Sequence, residues 1–319
     1  MMDIAALASY IEKAVEAESS PWSDLAIRDQ SATSFPADLL LGPNSWMLKG
    51  DIHLAWTKWY VDGFIGVKYD NLPEVNFGNL YMEVKIALEQ IYPSNTIPDR
   101  NKLARVIADF AWAEIRRRRN SSQRRPLSEG ERYQLWIASG SEPGCYLCGR
   151  RFDLYAEKRF FGEQKGPRDT LPRLLDFTRP AGLASSDLDV EIDHVNPLAK
   201  GGDSEIENLR LACGWCNRVK SQITNLYEIG IRSRGCIRLR SGGTVALPDP
   251  RWVLRLVALT KVCRYVGGCE EGLENSQLFI APIPGAVELT PVTAAAYCGV
   301  HDPWKAERFV ERKRLGNLK

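Results

Sequence analysis

The 319-residue chain has no apolar run near the ~20 residues that a bilayer-spanning helix requires, so no helical membrane span is expected. It also lacks a basic stretch ahead of its first apolar one. The opening MMDIAALASYIEKAVEAESS acquires acids early and reads as a helix, not an export signal. With no export signal, a reducing cytoplasm is the expected compartment, where closely spaced cysteines hold metal more often than they form disulfides. Histidine is scarce, three in all. No internal repeat or long low-complexity tract is present, so no repeat array is expected.

Net charge is small, +2, but unevenly spread. Residues 1–110 carry 9 Lys/Arg against 15 Asp/Glu, a net of −6, and residues 111–319 carry 33 against 25, a net of +8. All eight cysteines fall in the basic part. Such a surface favours a polyanion through counterion release, against the plainer reading of a solvated face.

The length suffices for two or three domains. Ile4, Leu7, Ile11 and Val15 predict a helix over 2–18. The aromatic stretch SWMLKGDIHLAWTKWYVDGFIGVKY is either strand or helix, and its pattern does not decide. His53 lies there among apolar neighbours and reads as a packing residue. Helices are expected over 78–91 and 99–119. The second has Asp99 as N-cap, a stripe of Leu103, Ile107, Phe110, Ala111 and Ile115, and a basic end at Arg116–Arg119. That end reads either as solvated or as a phosphate contact. The polar NSSQRRPLSEGE reads as a linker. The expected division is a mainly helical unit over 1–125, a second over 126–235 and a C-terminal extension over 236–319.

Cys145-Tyr-Leu-Cys148-Gly149 and Cys213-Gly-Trp-Cys216 are two CxxC knuckles. Two such knuckles can place four thiolates around one tetrahedral zinc, whereas dithiol redox chemistry needs a single pair in a strand-to-helix context. The long gap between them implies a folded insert. Cys263-x5-Cys269 with Cys298-x2-His301 forms a CCCH set whose ligand types suit a second zinc, the alternative being buried free cysteines. Cys236 reads as a core residue. Before the second knuckle, LDVEIDHVNP alternates like a strand, LAKGGDS turns the chain, Leu209 and Leu211 fit a return strand, and a helix is compatible from Cys213 through Ile223.

Asp193-His194, Pro197, Gly201-Gly202, Asn208-Leu209 and Cys213-x-x-Cys216-Asn217-x-x-Lys220 resemble the HNH endonuclease family, of the zinc-containing, McrA-like kind, from about Cys145 to Lys220. The resemblance implies an α+β fold, with a ββα-metal nuclease core pinned by a structural zinc and flanked by the helical N-terminal unit and the C-terminal extension. It implies His194 as general base and Asp193 and Asn217 as ligands of a catalytic Mg2+, Mn2+ or other divalent ion. It also implies Asn208 as the residue orienting the loop and base, and Lys220, Arg218 and Lys200 as DNA contacts. Asn217 stands where many members have a final histidine, which makes this an HNN form. An amide oxygen is a hard donor suited to Mg2+, while imidazole also suits softer metals. The activity implied is DNA hydrolysis, in prokaryotic restriction or phage defence. The rivals are nucleic-acid binding without cleavage, and a nuclease subunit active only within a larger defence complex. Target recognition, regulation, or contact with a partner protein or a second copy is left to residues 1–125.

Overall fold

The computed structural model describes residues 4–19, 23–65, 76–120, 125–200, 202–225, 235–286 and 288–315. The chain opens with α1 (Ile4–Ser19), α2 (Asp24–Ser31), α3 (Ala37–Leu41), α4 (Ser45–Ile65), α5 (Phe77–Ile91) and α6 (Ile97–Asn120). The undecided aromatic stretch is helix α4, apart from 66–69, which lie outside the described residues. Its buried positions, Met47, Asp51 and Val61, have helical spacing, but exposed Leu54, Trp56 and Trp59 lie between them and hide it. In α1, Ile11 and Val15 are exposed, so the expected stripe is not a buried face there.

Helix α6 begins before Asp99. Thr96 Oγ1 accepts from the Asp99 N–H at 3.3 Å and donates to its carboxylate at 2.6 Å, so Thr96 fills the capping position expected of Asp99. Its buried stripe is Ala104, Ile107, Ala108, Ala111 and Ile115, set against Leu80, Val84 and Leu88 of α5. Alanines let the two helices approach closely, and the larger Leu103 and Phe110 fall on exposed flanks. Both ends of the expected linker are helical, Asn120 closing α6 and Glu129–Glu131 opening α7 (Glu129–Ala138). Residues 121–124 lie outside the described residues, and Ser128 and Glu131 form a capping box at the start of α7.

Next come α8 (Leu154–Phe160), β1 (Leu174–Asp176), β2 (Val190–His194), β3 (Leu209–Cys213) and α9 (Gly214–Lys220). They are followed by β4 (Gly235–Arg238), β5 (Thr244–Leu247), α10 (Pro250–Thr260), β6 (Leu278–Pro282), β7 (Ala294–Cys298), β8 (Phe309–Glu311) and α11 (Arg312–Leu315). The architecture is α+β, with small antiparallel two-stranded sheets pairing β2 with β3, β4 with β5, β6 with β7, and β1 with β8. The expected strand and return strand are β2 and β3. The helix after them stops three residues short of Ile223, because Ser221 turns to φ +48° and its N–H closes on the Asn217 carbonyl. Cys236 is exposed, contrary to its expected core place. Strand alternation turns Ile237 inward and its neighbour outward.

The β1–β8 pair carries the C-terminal segment back to the stretch before the β2–β3 hairpin, so Leu175 and Phe177 share a core with β6, β7 and α10. Arg308, wholly buried, holds this layer together. It donates to Asp302, to Asp176 Oδ1 at 3.1 Å, to Thr178 and to the Ile280 carbonyl. The start of α4 and the turn before it dock on the same layer. Met47 enters its core, Asn44 donates to the Pro291 and Ala294 carbonyls, and Asp51 pairs with Arg255 of α10. Among the described residues, no helix is long and apolar enough to cross a membrane.

Candidate active site and metal clusters

Alternation along the β2–β3 hairpin sorts its side chains. Val190, Leu209 and Leu211 pack with Leu135 of α7 and with Ala156 and Phe160 of α8. Glu191 and Asp193 share the opposite face. Helix α9 follows β3 without a loop, and Gly214 permits that junction. A Cβ there would lie 2.0 Å from the Ser186 carbonyl oxygen and 2.8 Å from Glu191 Oε1. A cleft of about 540 Å3 opens between strand and helix, lined by Glu191, Asp193, His194, Asn217, Arg218 and Gln222 among others.

Asp193 is buried, and both its oxygens are engaged. Tyr146 donates to Oδ2 at 2.6 Å, and Lys220 Nζ lies 3.1 Å from Oδ1 and 3.0 Å from Oδ2. Lys220 also donates to the His194 carbonyl at 2.7 Å, so its ammonium reaches back into the site. Burial, then the adjacent Asp193 charge, pushes the Tyr146 phenol far above its ordinary pKa, which keeps it a donor. His194 Nε2 lies 3.2 Å from Ser204 Oγ. Asn208 clamps the intervening loop: Oδ1 accepts from the Asn196 N–H at 2.8 Å, and Nδ2 donates to the carbonyls of Asn196 (3.0 Å) and Asp203 (2.8 Å). Gly202 allows this closeness, since a Cβ there would fall 1.9 Å from the Asn196 oxygen. Gly201 lies outside the described residues.

Asn217 Nδ2 donates to Glu191 Oε2 at 2.7 Å. Arg218 pairs with Asp187 and lies 3.4 Å from Glu191, and Lys200 Nζ is 3.3 Å from Thr224 Oγ1. The expected DNA-contacting cations therefore already have protein partners. The side chains of Arg117–Arg119 lie outside what is described. Sequence reading missed Tyr146, Glu191 and Ser204. Only Glu191 carried a signal, two residues before Asp193 on one strand face.

Cys145, Cys148, Cys213 and Cys216 are all buried, with their sulfurs within 4.8 Å of one another. Tetrahedral zinc with sulfur at ~2.3 Å fits such a spacing. The Tyr146 N–H bonds the Leu211 carbonyl at 3.0 Å, which sets the first knuckle against β3. Gly149, at φ +73°, passes so close to Ser276 that a Cβ would lie 2.0 Å from its carbonyl oxygen. Arg179 is buried beside this cluster, and its Nη1 has no hydrogen-bond partner. Burial alone would lower its pKa, but the Cys148 and Cys216 charges raise it. A buried cation with a free N–H beside the sulfurs suits a thiolate-rich metal centre, whose four sulfurs outweigh a divalent ion. Cys263, Cys269, Cys298 and His301 form the second cluster, also within 4.8 Å. His301 Nδ1 lies 3.3 Å from Cys298 Sγ and 3.8 Å from Cys263 Sγ, and its ring stacks on Tyr265. Burial first of all pushes Cys263 up to about 11.

A hairpin thus runs directly into a helix, an Asp-His pair and an asparagine line one cleft, and four cysteines cluster at the same junction. Residues 184–222 match the family model described as HNH endonuclease. The matched segment holds Asp193, His194, Asn208, Asn217 and the second knuckle, and the first knuckle lies before it. No curated protein and no solved structure matches the chain.

Proposed function

We propose that the chain is a divalent-metal-dependent endonuclease that hydrolyses DNA phosphodiester bonds. The convergence of Asp193, His194 and Asn217 on one cleft, within the HNH-matching segment, supports this most. His194 takes a proton from the attacking water, and Ser204 and the Asn208-clamped loop hold its ring in place. The Asp193 carboxylate and the Asn217 amide oxygen are hard donors suited to Mg2+, which keeps several waters and needs few protein ligands. Such an ion, when bound, offsets the charge developing on the scissile phosphate and the leaving oxygen. Lys220 then exchanges Asp193 for a phosphate oxygen, and Arg218 and Lys200 flank the strand. The two cysteine-rich clusters take structural zinc. Residues 1–125 act as a recognition, regulatory or partner-binding unit, 126–235 as the nuclease unit and 236–319 as its extension. The biological setting is restriction or phage defence, acting alone or in a larger complex.

One observation favours a second reading, nucleic-acid binding without cleavage: Tyr146 and Lys220 already engage both oxygens of Asp193. Plasmid cleavage with and without Mg2+, for wild type and His194→Ala, separates the two. Mg2+-dependent cutting that falls ~10²–10⁴-fold in His194→Ala, with DNA retention unchanged, supports the enzyme. Retention of DNA with no cutting at any divalent metal supports the binder.

A further inference from the structure

The donor at Asn217 depends on which way its amide faces, and a residue outside the expected site decides that. An ionised carboxylate can only accept hydrogen bonds, while an asparagine amide has one donating and one accepting end. At 2.7 Å from Glu191 Oε2, the end of Asn217 that faces the carboxylate must be the NH2. The amide oxygen is then left for the cleft that both residues line.

Glu191 is itself held. It stands on the same face of β2 as Asp193, one pleat away. Its Oε1 lies 3.4 Å from Arg218 Nη1, whose guanidinium is anchored on Asp187. It also lies over Gly214, where any larger residue would push it aside. Both oxygens are thus committed, one to Arg218 and one to Asn217.

We propose that Glu191 is a positioning residue that fixes the Asn217 amide so that oxygen, not nitrogen, is offered to the catalytic cation. This rests on the reading of Asn217 as a ligand of that cation. Glu191→Gln keeps the shape but presents both a donor and an acceptor, so either amide orientation becomes available, and the charge-assisted hydrogen bond that strengthens the amide oxygen as a donor is lost.

The test is Mn2+ affinity, read by electron paramagnetic resonance. It uses zinc-loaded full chain carrying His194→Ala, so that a bound DNA duplex stays intact. Glu191→Gln, Asn217→Ala and the pair are compared in that background. Losing an outer partner of a metal ligand typically weakens binding 10–100-fold, and Glu191→Gln is expected to cost about that much. Once Asn217 is alanine, Glu191→Gln should cost nothing further. Equal losses from Glu191→Gln with and without Asn217 would mean that Glu191 acts through its own charge, and would overturn the proposal. An unchanged Mn2+ affinity in Glu191→Gln would overturn it as well. An unchanged affinity in Asn217→Ala alone would instead remove Asn217 from the cation site, and the proposal with it. No Mn2+ binding in the parent chain would refute the metal-dependent reading itself. Zinc content and far-ultraviolet dichroism equal to the parent's show that each variant has folded.

Discussion

In the knuckle cluster all four cysteines are buried, and two come from one junction, Cys213 ending β3 and Cys216 lying in the first turn of α9. In the C-terminal cluster Cys298 ends β7, Cys263 follows α10, and Cys269 and His301 are only half-buried. The knuckle cluster is wired to the cleft: Cys216 precedes Asn217, and Tyr146, between Cys145 and Cys148, donates to Asp193. Cys263, Cys269 and Cys298 of the C-terminal cluster pack instead with the layer of β6, β7 and α10 on which α4 docks. On the function proposed above, the first cluster would shape the cleft and the second would hold the frame.

The strongest way to break that contrast is at the knuckles. Cys213→Ala should remove one zinc per chain, unfold the hairpin and helix α9, and abolish cleavage, since a complete structural zinc supplies ~10–16 kcal/mol in finger-type peptides. Metal analysis together with hydrogen exchange on β2 and β3 checks it. Intact protection in β2 and β3 without that zinc would put the fold on hydrophobic packing alone. At the second cluster, His301→Ala should lower zinc content from two to one and reduce the unfolding temperature, while Mg2+-dependent cleavage stays within a few-fold of wild type below the transition. Loss of cleavage there would mean that the two clusters are not separable.

A smaller effect is expected where α4 meets the C-terminal layer. Asp51 is buried against Arg255, whose side chain is 22% exposed. Removing one partner of a buried pair costs ~3–5 kcal/mol, and the partial exposure of Arg255 places Asp51→Ala at the low end. The denaturant midpoint reads this, and Asp51→Leu with Arg255→Met should recover part of it, because an apolar pair leaves no charge stranded. Cleavage at low temperature should not change, since the cleft lies elsewhere.

What was legible in the sequence follows the same division. Spacing pointed to both clusters, with buried free cysteines left as the alternative for the second, because close ligand pairs leave short, countable gaps. The hairpin and α9 were legible through alternation and the residues flanking Asp193-His194. Tyr146 was not, because it reaches the site across 47 residues, and Ser204 was not, because a serine in a polar turn carries no pattern that marks it. Helix α4 was undecided because exposed tryptophans masked its buried face. The β1–β8 pairing was invisible, since three-residue strands 130 or more positions apart leave no local pattern.

The smallest expected effect is the acid sensitivity of the helix that packs on the hairpin. Helix α7 packs on the hairpin through Leu135, and its start depends on Glu131. Arg125 donates to that carboxylate at 3.0 and 2.6 Å, and the Ser128 N–H and hydroxyl each donate at 2.9 Å. The Arg125 contact first, then Ser128, lowers the Glu131 pKa from 4.5 to about 2. A depressed folded-state pKa contributes stability above the unfolded value of 4.5, and that contribution is lost as pH falls towards about 2. Glu131→Gln should therefore be less stable than wild type at pH 7, and the gap should narrow between about 4.5 and 2. Taking the difference between the two proteins cancels acid effects common to both, such as protonation of the thiolates. Ser128→Ala, by contrast, should cost ~1 kcal/mol through its lost cap. The part of that loss owed to the serine hydroxyl accepting from the Glu131 N–H should persist at low pH, because that bond involves no charge. Urea midpoints of the three proteins at pH 7, 4 and 3 decide the matter. A Glu131→Gln gap that stays constant across that range would show that the carboxylate acts by shape and not by charge.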